Sequence, residues 1–214
     1  DHGFGAHRSV FYTGSWLEKE GYLHRRTWRI RARKLRGIVV KIGRRVLPHL
    51  YSKLVRAAGS GAVPRIPGNS EVDFDRSLAF SPANASLTGE ICLNYQAASL
   101  KSYPGGFDAI REEIIKNLEE TCRGLGVHVK IHSPHELYSG KYVDLAPDIL
   151  FDMDNGECNI RFGFSKEIYH RPPPNVVHSG IHKKEGIFIA YGPDIKQGYE
   201  IQGARIYDIA TTIL

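Results

Sequence analysis

The chain has 214 residues and a mass of 24.0 kDa, enough for one domain, or one domain with a lobe, around a sizeable core. Hydrophobic residues make up 42% and charged ones 24%, an ordinary globular balance, and no apolar run approaches the roughly 20 residues that cross a bilayer. The net charge of +6 is concentrated: 13 Lys or Arg and no acid lie between Gly21 and Ser70, leaving 16 basic against 23 acidic residues elsewhere.

The chain opens on Asp1-His2-Gly3-Phe4-Gly5. An acid beside an imidazole offers the mixed oxygen and nitrogen donors that a divalent zinc accepts. Neighbouring side chains on a strand point opposite ways, so both reach one ion only if the backbone turns, and Gly3 and Gly5 are expected to permit that turn. Without a preceding strand or an initial Met, the sequence reads as part of something larger.

Ser9 to Tyr12 reads as a short extended piece. Residues 14–23 read as a helix with Ser15 as N-cap, Glu18 at the capping-box position and Gly21 as the stop. From Ile30 to Val55 the apolar residues Leu35, Ile38, Val39, Ile42, Val46, Leu50 and Leu54 recur every three or four positions, a helical stripe with Arg31, Arg33, Lys34, Arg36, Lys41, Arg44 and Arg45 on its other sides. Pro48 is expected to kink or divide it. Such a basic cap suits either a solvated cover over the body or a lid that attracts anionic substrate. Nucleic acid or an anionic membrane is the alternative partner. The domain reading is a body at 1–23 and 71–214, with a basic helical insert or cap at 24–70.

Further along, residues 78–80, 90–94, 127–131 and 148–152 read as strands, and residues 107–122 as the clearest helix, with Ile110, Ile114, Leu118 and Cys122 on one face. Gly124 and Gly126 are expected to end it. Residues 155–176 read as irregular around Pro172-Pro173-Pro174. Residues 187–193 read as the most apolar strand, covered on both faces, and Ile206, Ile209, Ala210 and Ile213 begin a last helix. Strands alternating with helices indicate an α/β layered fold. Cys92, Cys122 and Cys158, odd in number and without a CxxC pair, favour a reducing compartment and a cytoplasmic location.

His182 sits in the polar, glycine-flanked loop Ser179-Gly180-Ile181-His182-Lys183-Lys184-Glu185-Gly186 ahead of the apolar run. The order DHGFG, PHELYSGKYVDLAPDILFDM, SGIHKKEGIFIAYGPDIKQG and ARIYDIATTIL resembles the alkaline phosphatase superfamily, and within it the type I phosphodiesterase/nucleotide pyrophosphatase family. The likeness covers nearly all of the chain except the basic insert, as the C-terminal portion of that α/β/α layered fold. It implies two divalent ions, zinc-like, in one site. Asp1 and His2 match the pair that binds the ion nearer the nucleophile, and His182 matches the late histidine on the other ion. Arg205, Asp208 and the last helix match a structural segment in which Thr211 stands where proline is usual. The family's nucleophile, and the Asp and His residues that complete both ions, match nothing here.

The resemblance thus implies a hydrolase of phosphodiester or pyrophosphate bonds, acting on a nucleotide or other phosphodiester through a covalent phospho-enzyme. The nucleophile would come from a missing N-terminal part. With two ligands for one ion and one for the other, this chain is expected to bind metal weakly and to lack activity by itself. Lys183 and His178 are candidate phosphate or substrate contacts, His170 a further one, and self-association through exposed apolar surface is expected. His128 and His132, i and i+4 on a strand, stand too far apart to share an ion.

Overall fold

Ile110, Ile114, Leu118 and Cys122, each four positions from the last, are all at most 1% exposed and line one face of a 20-residue helix. The computed structural model describes residues 2–26, 71–82, 85–172, 180–183 and 185–213. The elements, in chain order, are β1 (Gly3–Ala6), β2 (Ser9–Tyr12), α1 (Thr13–Lys19), β3 (Ala79–Phe80), β4 (Ala85–Ser86), β5 (Thr88–Leu93), α2 (Ala98–Lys101), α3 (Gly106–Leu125), β6 (Val129–His132), α4 (Pro134–Leu137), β7 (Ile149–Met153), β8 (Cys158–Arg161), β9 (Tyr169–His170), β10 (Gly180–Lys183) and α5 (Ile206–Ile213).

Among the described residues two four-stranded sheets and one two-stranded sheet result: β3-β5-β7-β6, β4-β8-β2-β9 and β1-β10. The pairings of these strands are antiparallel except β2 with β8. One core joins α3 to both larger sheets through Ile91, Ile149, Phe151 and Met153 on one side and Phe11, Cys158 and Ile160 on the other. The alternate positions Ile149, Phe151 and Met153 share a face of β7, as a period of two requires. Gly89 opens room for them: a Cβ there would lie 2.1 Å from the Phe151 ring. Mixed helices and strands in one core place the chain in the α/β class.

Gly126 caps α3 at φ +67°, as the sequence suggests, while Gly124 lies inside the helix. Gly21, at φ +82°, follows the end of α1. Ser15 is not the cap of α1. It lies within the helix, 6% exposed, and its hydroxyl donates to the Ser165 carbonyl. A second correction concerns residues 155–176, which contain β8, paired with both β2 and β4, and β9. Cys158, Asn159 and Ile160 are all at most 8% exposed. A third concerns residues 187–193, which belong to no strand; Ile187, Ile189 and Tyr191 are 85–93% exposed. The last helix forms where expected, as α5.

The helical stripe and Pro48 lie outside the described residues, but the residues flanking that stretch do not. Arg25 bridges Val72 in antiparallel fashion, the Arg26 N–H donates to the Glu71 carbonyl at 2.7 Å, and the Asp73 N–H donates to His24 at 2.8 Å. The Arg25 guanidinium pairs with the 2%-exposed Glu71 carboxylate at 2.5 Å and lies 3.9 Å over the Phe164 ring. Residues 24–26 and 71–73, on either side of that stretch, are therefore tied to each other by backbone hydrogen bonds. Among the described residues no helix is long and apolar enough to cross a membrane.

Candidate metal centre

The register of β1 against β10 decides what the opening motif can do. Phe4 stands opposite His182 and Gly3 opposite Lys183. Residues two apart share a face of a strand, so His2 and Phe4 meet His182 on the same side. The imidazoles of His2 and His182 stack with centroids 4.0 Å apart and planes 19° apart. Phe4 closes the group edge-on, 5.1 Å from His2 and 5.6 Å from His182, while itself 75% exposed. His182 is exposed and His2 half-buried, so the pair is reachable from solvent.

Glycine serves here in a way that differs from the expected turn. Gly3 and Gly5 are strand residues, and neither has positive φ. What Gly3 allows is close approach: a Cβ would sit 1.7 Å from the Glu185 carbonyl oxygen. Gly5 likewise leaves space for the Lys183 stem, whose atoms would lie 2.5 Å and further from a Cβ. The loop after β10 is thus pressed against β1, and the two histidines are held by that contact.

Lys183 points the other way. Its ammonium donates to the Gly156 carbonyl at 3.1 Å and to the Glu157 carboxylate at 3.0 Å, on the face opposite His182. Arg8 joins the same carboxylate at 3.0 Å. The Lys183 hydrogen bond holds the Glu157 carboxyl below the usual carboxylate range, aided by the charges of Lys183 and Arg8. This ion cluster ties the β1-β10 ribbon to the end of β8. It occupies the ammonium that sequence reasoning assigned to phosphate.

Asp1 and His178 lie outside the described residues. Among the described residues no group of three or more His, Cys, Asp or Glu is placed to hold a metal ion. The donor set in view is therefore two imidazole rings, suitable in chemistry for zinc and incomplete in number.

Other polar groups escaped the sequence reading. His132 Nε2 lies 2.8 Å from an Asp152 oxygen whose partner oxygen accepts from Thr88 at 3.0 Å, a cross-strand chain over β5, β7 and β6. Its signal was the i, i+4 histidine pair, read only as a failed metal site. His170, already a candidate substrate contact from the sequence, meets Ser165 and Glu167, which were not singled out, while Phe4 gave no sign beyond its place in the motif. No family model, curated protein or solved structure matches the chain.

Proposed function

We propose that this chain supplies the imidazole face of a two-metal phosphoric ester hydrolase of the phosphodiesterase/nucleotide pyrophosphatase type, built on an alkaline phosphatase-like α/β/α fold. The observation that carries the reading is the stack of His2 on His182 at 4.0 Å. Ring nitrogens donate within the plane of the imidazole, so two nearly parallel stacked rings keep their lone pairs in separate planes rather than converging on one point. That arrangement suits one ion per ring, and it accords with the separation of about 3.5–4 Å seen in two-metal sites.

Divalent ions held by His2 and His182 would supply activation of an attacking hydroxyl and stabilisation of a leaving oxygen. The protein's own contributions are narrower. The β1-β10 register holds the two imidazoles in fixed relation, and Phe4 shields one side of the pair. Asp1 is the proposed oxygen donor beside His2. The nucleophile matches no residue of these 214, so it is assigned to sequence outside them.

Zinc titration of the protein tests the reading. Weak binding is expected, and His2→Ala and His182→Ala should each lower the affinity by about tenfold or more. Equal binding in all three proteins would remove the proposal. The protein alone should not hydrolyse a p-nitrophenyl phosphodiester. Joined to the nucleophile-bearing sequence it should, in a chelator-sensitive manner lost on His182→Ala.

A second reading draws on the charge of residues 27–70, which hold 11 Lys or Arg and no acid, and on the closed root beneath them. There the body is a scaffold and the insert binds nucleic acid or anionic lipid. Binding that falls steeply with salt and vanishes when Arg31, Arg33, Lys34 and Arg36 become Ala would favour it.

A further inference from the structure

The turn between β8 and β9 brings a hydroxyl, an imidazole and a carboxylate into line. Ser165 Oγ lies 3.3 Å from His170 Nε2, and His170 Nδ1 lies 3.5 Å from a Glu167 oxygen. The order matters. A carboxylate within ion-pair reach of Nδ1 favours the proton there, which leaves Nε2, the nitrogen facing the hydroxyl, as the acceptor.

Both ends of the turn are anchored. The Ser165 N–H donates to Ser15 Oγ at 2.7 Å, and the same buried hydroxyl donates back to the Ser165 carbonyl at 3.1 Å. The Tyr12 N–H donates to the Ile168 carbonyl at 2.8 Å, and His170 stands opposite Val10 in the β2-β9 ladder. The Tyr12 ring meets the imidazole edge to face at 6.0 Å, limiting its rotation. Ser165 and His170 are half-buried and Glu167 is 67% exposed, so the group opens to solvent on one side.

We propose that Ser165 is a nucleophile with His170 as its general base and Glu167 as a positioning residue, acting on small activated carboxylic esters. Ser165 Oγ forms the new bond to the acyl carbon while its proton passes to His170 Nε2. The ester C–O bond breaks, and the departing alkoxide takes that proton. Water then attacks the acyl-serine, giving its proton to Nε2, and the acid leaves as Oγ recovers a proton. No metal enters these steps, so the activity is independent of the His2–His182 reading.

The test uses the 214-residue protein with an alkyl fluorophosphonate, which transfers its phosphonyl group to an activated Oγ and releases fluoride, and with p-nitrophenyl acetate. Peptide mapping should place the label on Ser165, with chelator making no difference. Ser165→Ala should abolish labelling, and His170→Gln should slow it by about 100-fold or more. Glu167→Gln should lower kcat for the acetate with KM little changed, and Glu167→Asp should restore part of it. Circular dichroism establishes that each variant folds. Label absent from Ser165, unchanged labelling in a folded His170→Gln protein, or loss caused by chelator would each overturn the proposal.

Discussion

His2 and His182, far apart in sequence, stack their rings 4.0 Å apart because β1 and β10 are hydrogen-bonded partners. The pairing is local in space and remote in sequence. It depends on the absence of a side chain at Gly3, where a Cβ would meet the Glu185 carbonyl.

Gly3→Ala is therefore expected to push the loop after β10 off β1. The cost of such overpacking is about 1–3 kcal/mol, felt mainly in the ribbon. Zinc affinity should drop with it, while urea unfolding of the main core shifts little. Retained affinity with an unshifted His182 NMR signal would count against the close approach.

The Glu157 carboxyl is held below its ordinary range, first by the hydrogen bond from Lys183 and then by the charges around it. A depressed folded pKa contributes stability above the unfolded value and loses it as pH falls through the folded one. Acidification through the carboxylate range should therefore release the ribbon from β8 before the core unfolds. The His2 and His182 ring resonances report that release. In Glu157→Gln the ribbon should be loose at neutral pH and show no such acid transition.

Arg25 and Glu71 form a buried pair at the root of residues 27–70. Removing Glu71 leaves the Arg25 guanidinium only the more exposed Glu18 carboxylate at 3.3 Å, so the cost stays below the roughly 3–5 kcal/mol of a stranded buried charge. Glu71→Ala should lower the urea midpoint by a corresponding amount, whereas Arg25→Met with Glu71→Leu should recover most of it. Replacing residues 27–70 by a short turn should leave the body folded, since the Arg26–Glu71 hydrogen bond already closes the gap. Loss of near-UV circular dichroism in that protein would contradict the closed root.

Burial pushes the thiols up, Cys122 to about 12 and Cys92 and Cys158 to about 11, with nearby acidic groups adding to it. The thiolate is the reactive form, so an aromatic disulfide reagent at pH 8 should modify the folded protein at least about 100-fold more slowly than a free cysteine. All three should react at once in denaturant. A fast thiol in the folded protein would show that its site opens.

Several elements were legible because a short-range period names them. The four-residue spacing through Ile110, Ile114, Leu118 and Cys122 specifies α3, and glycine after it specifies the cap. The strand β7 and the helix α5 follow from similar patterns. Where the pattern failed, a long-range partner had overridden it. Ser15 reads as a cap, but its hydroxyl is used by Ser165. Residues 155–176 read as irregular around the prolines, but the Cys158–Arg161 strand is sandwiched between β2 and β4. The run at 187–193 reads as a buried strand, but no partner for it lies among the described residues.

By itself the sequence determined the α/β class, the concentration of positive charge in one stretch, and the histidines that draw attention as ligands. These are properties of composition and of periods shorter than a helical turn or two. Tertiary structure alone decided that His182 faces His2 while Lys183 turns away to Glu157, and that Ser165 meets His170. Such relations depend on strand register and on which backbone can approach which, and neither is encoded in the spacing of residues along one segment.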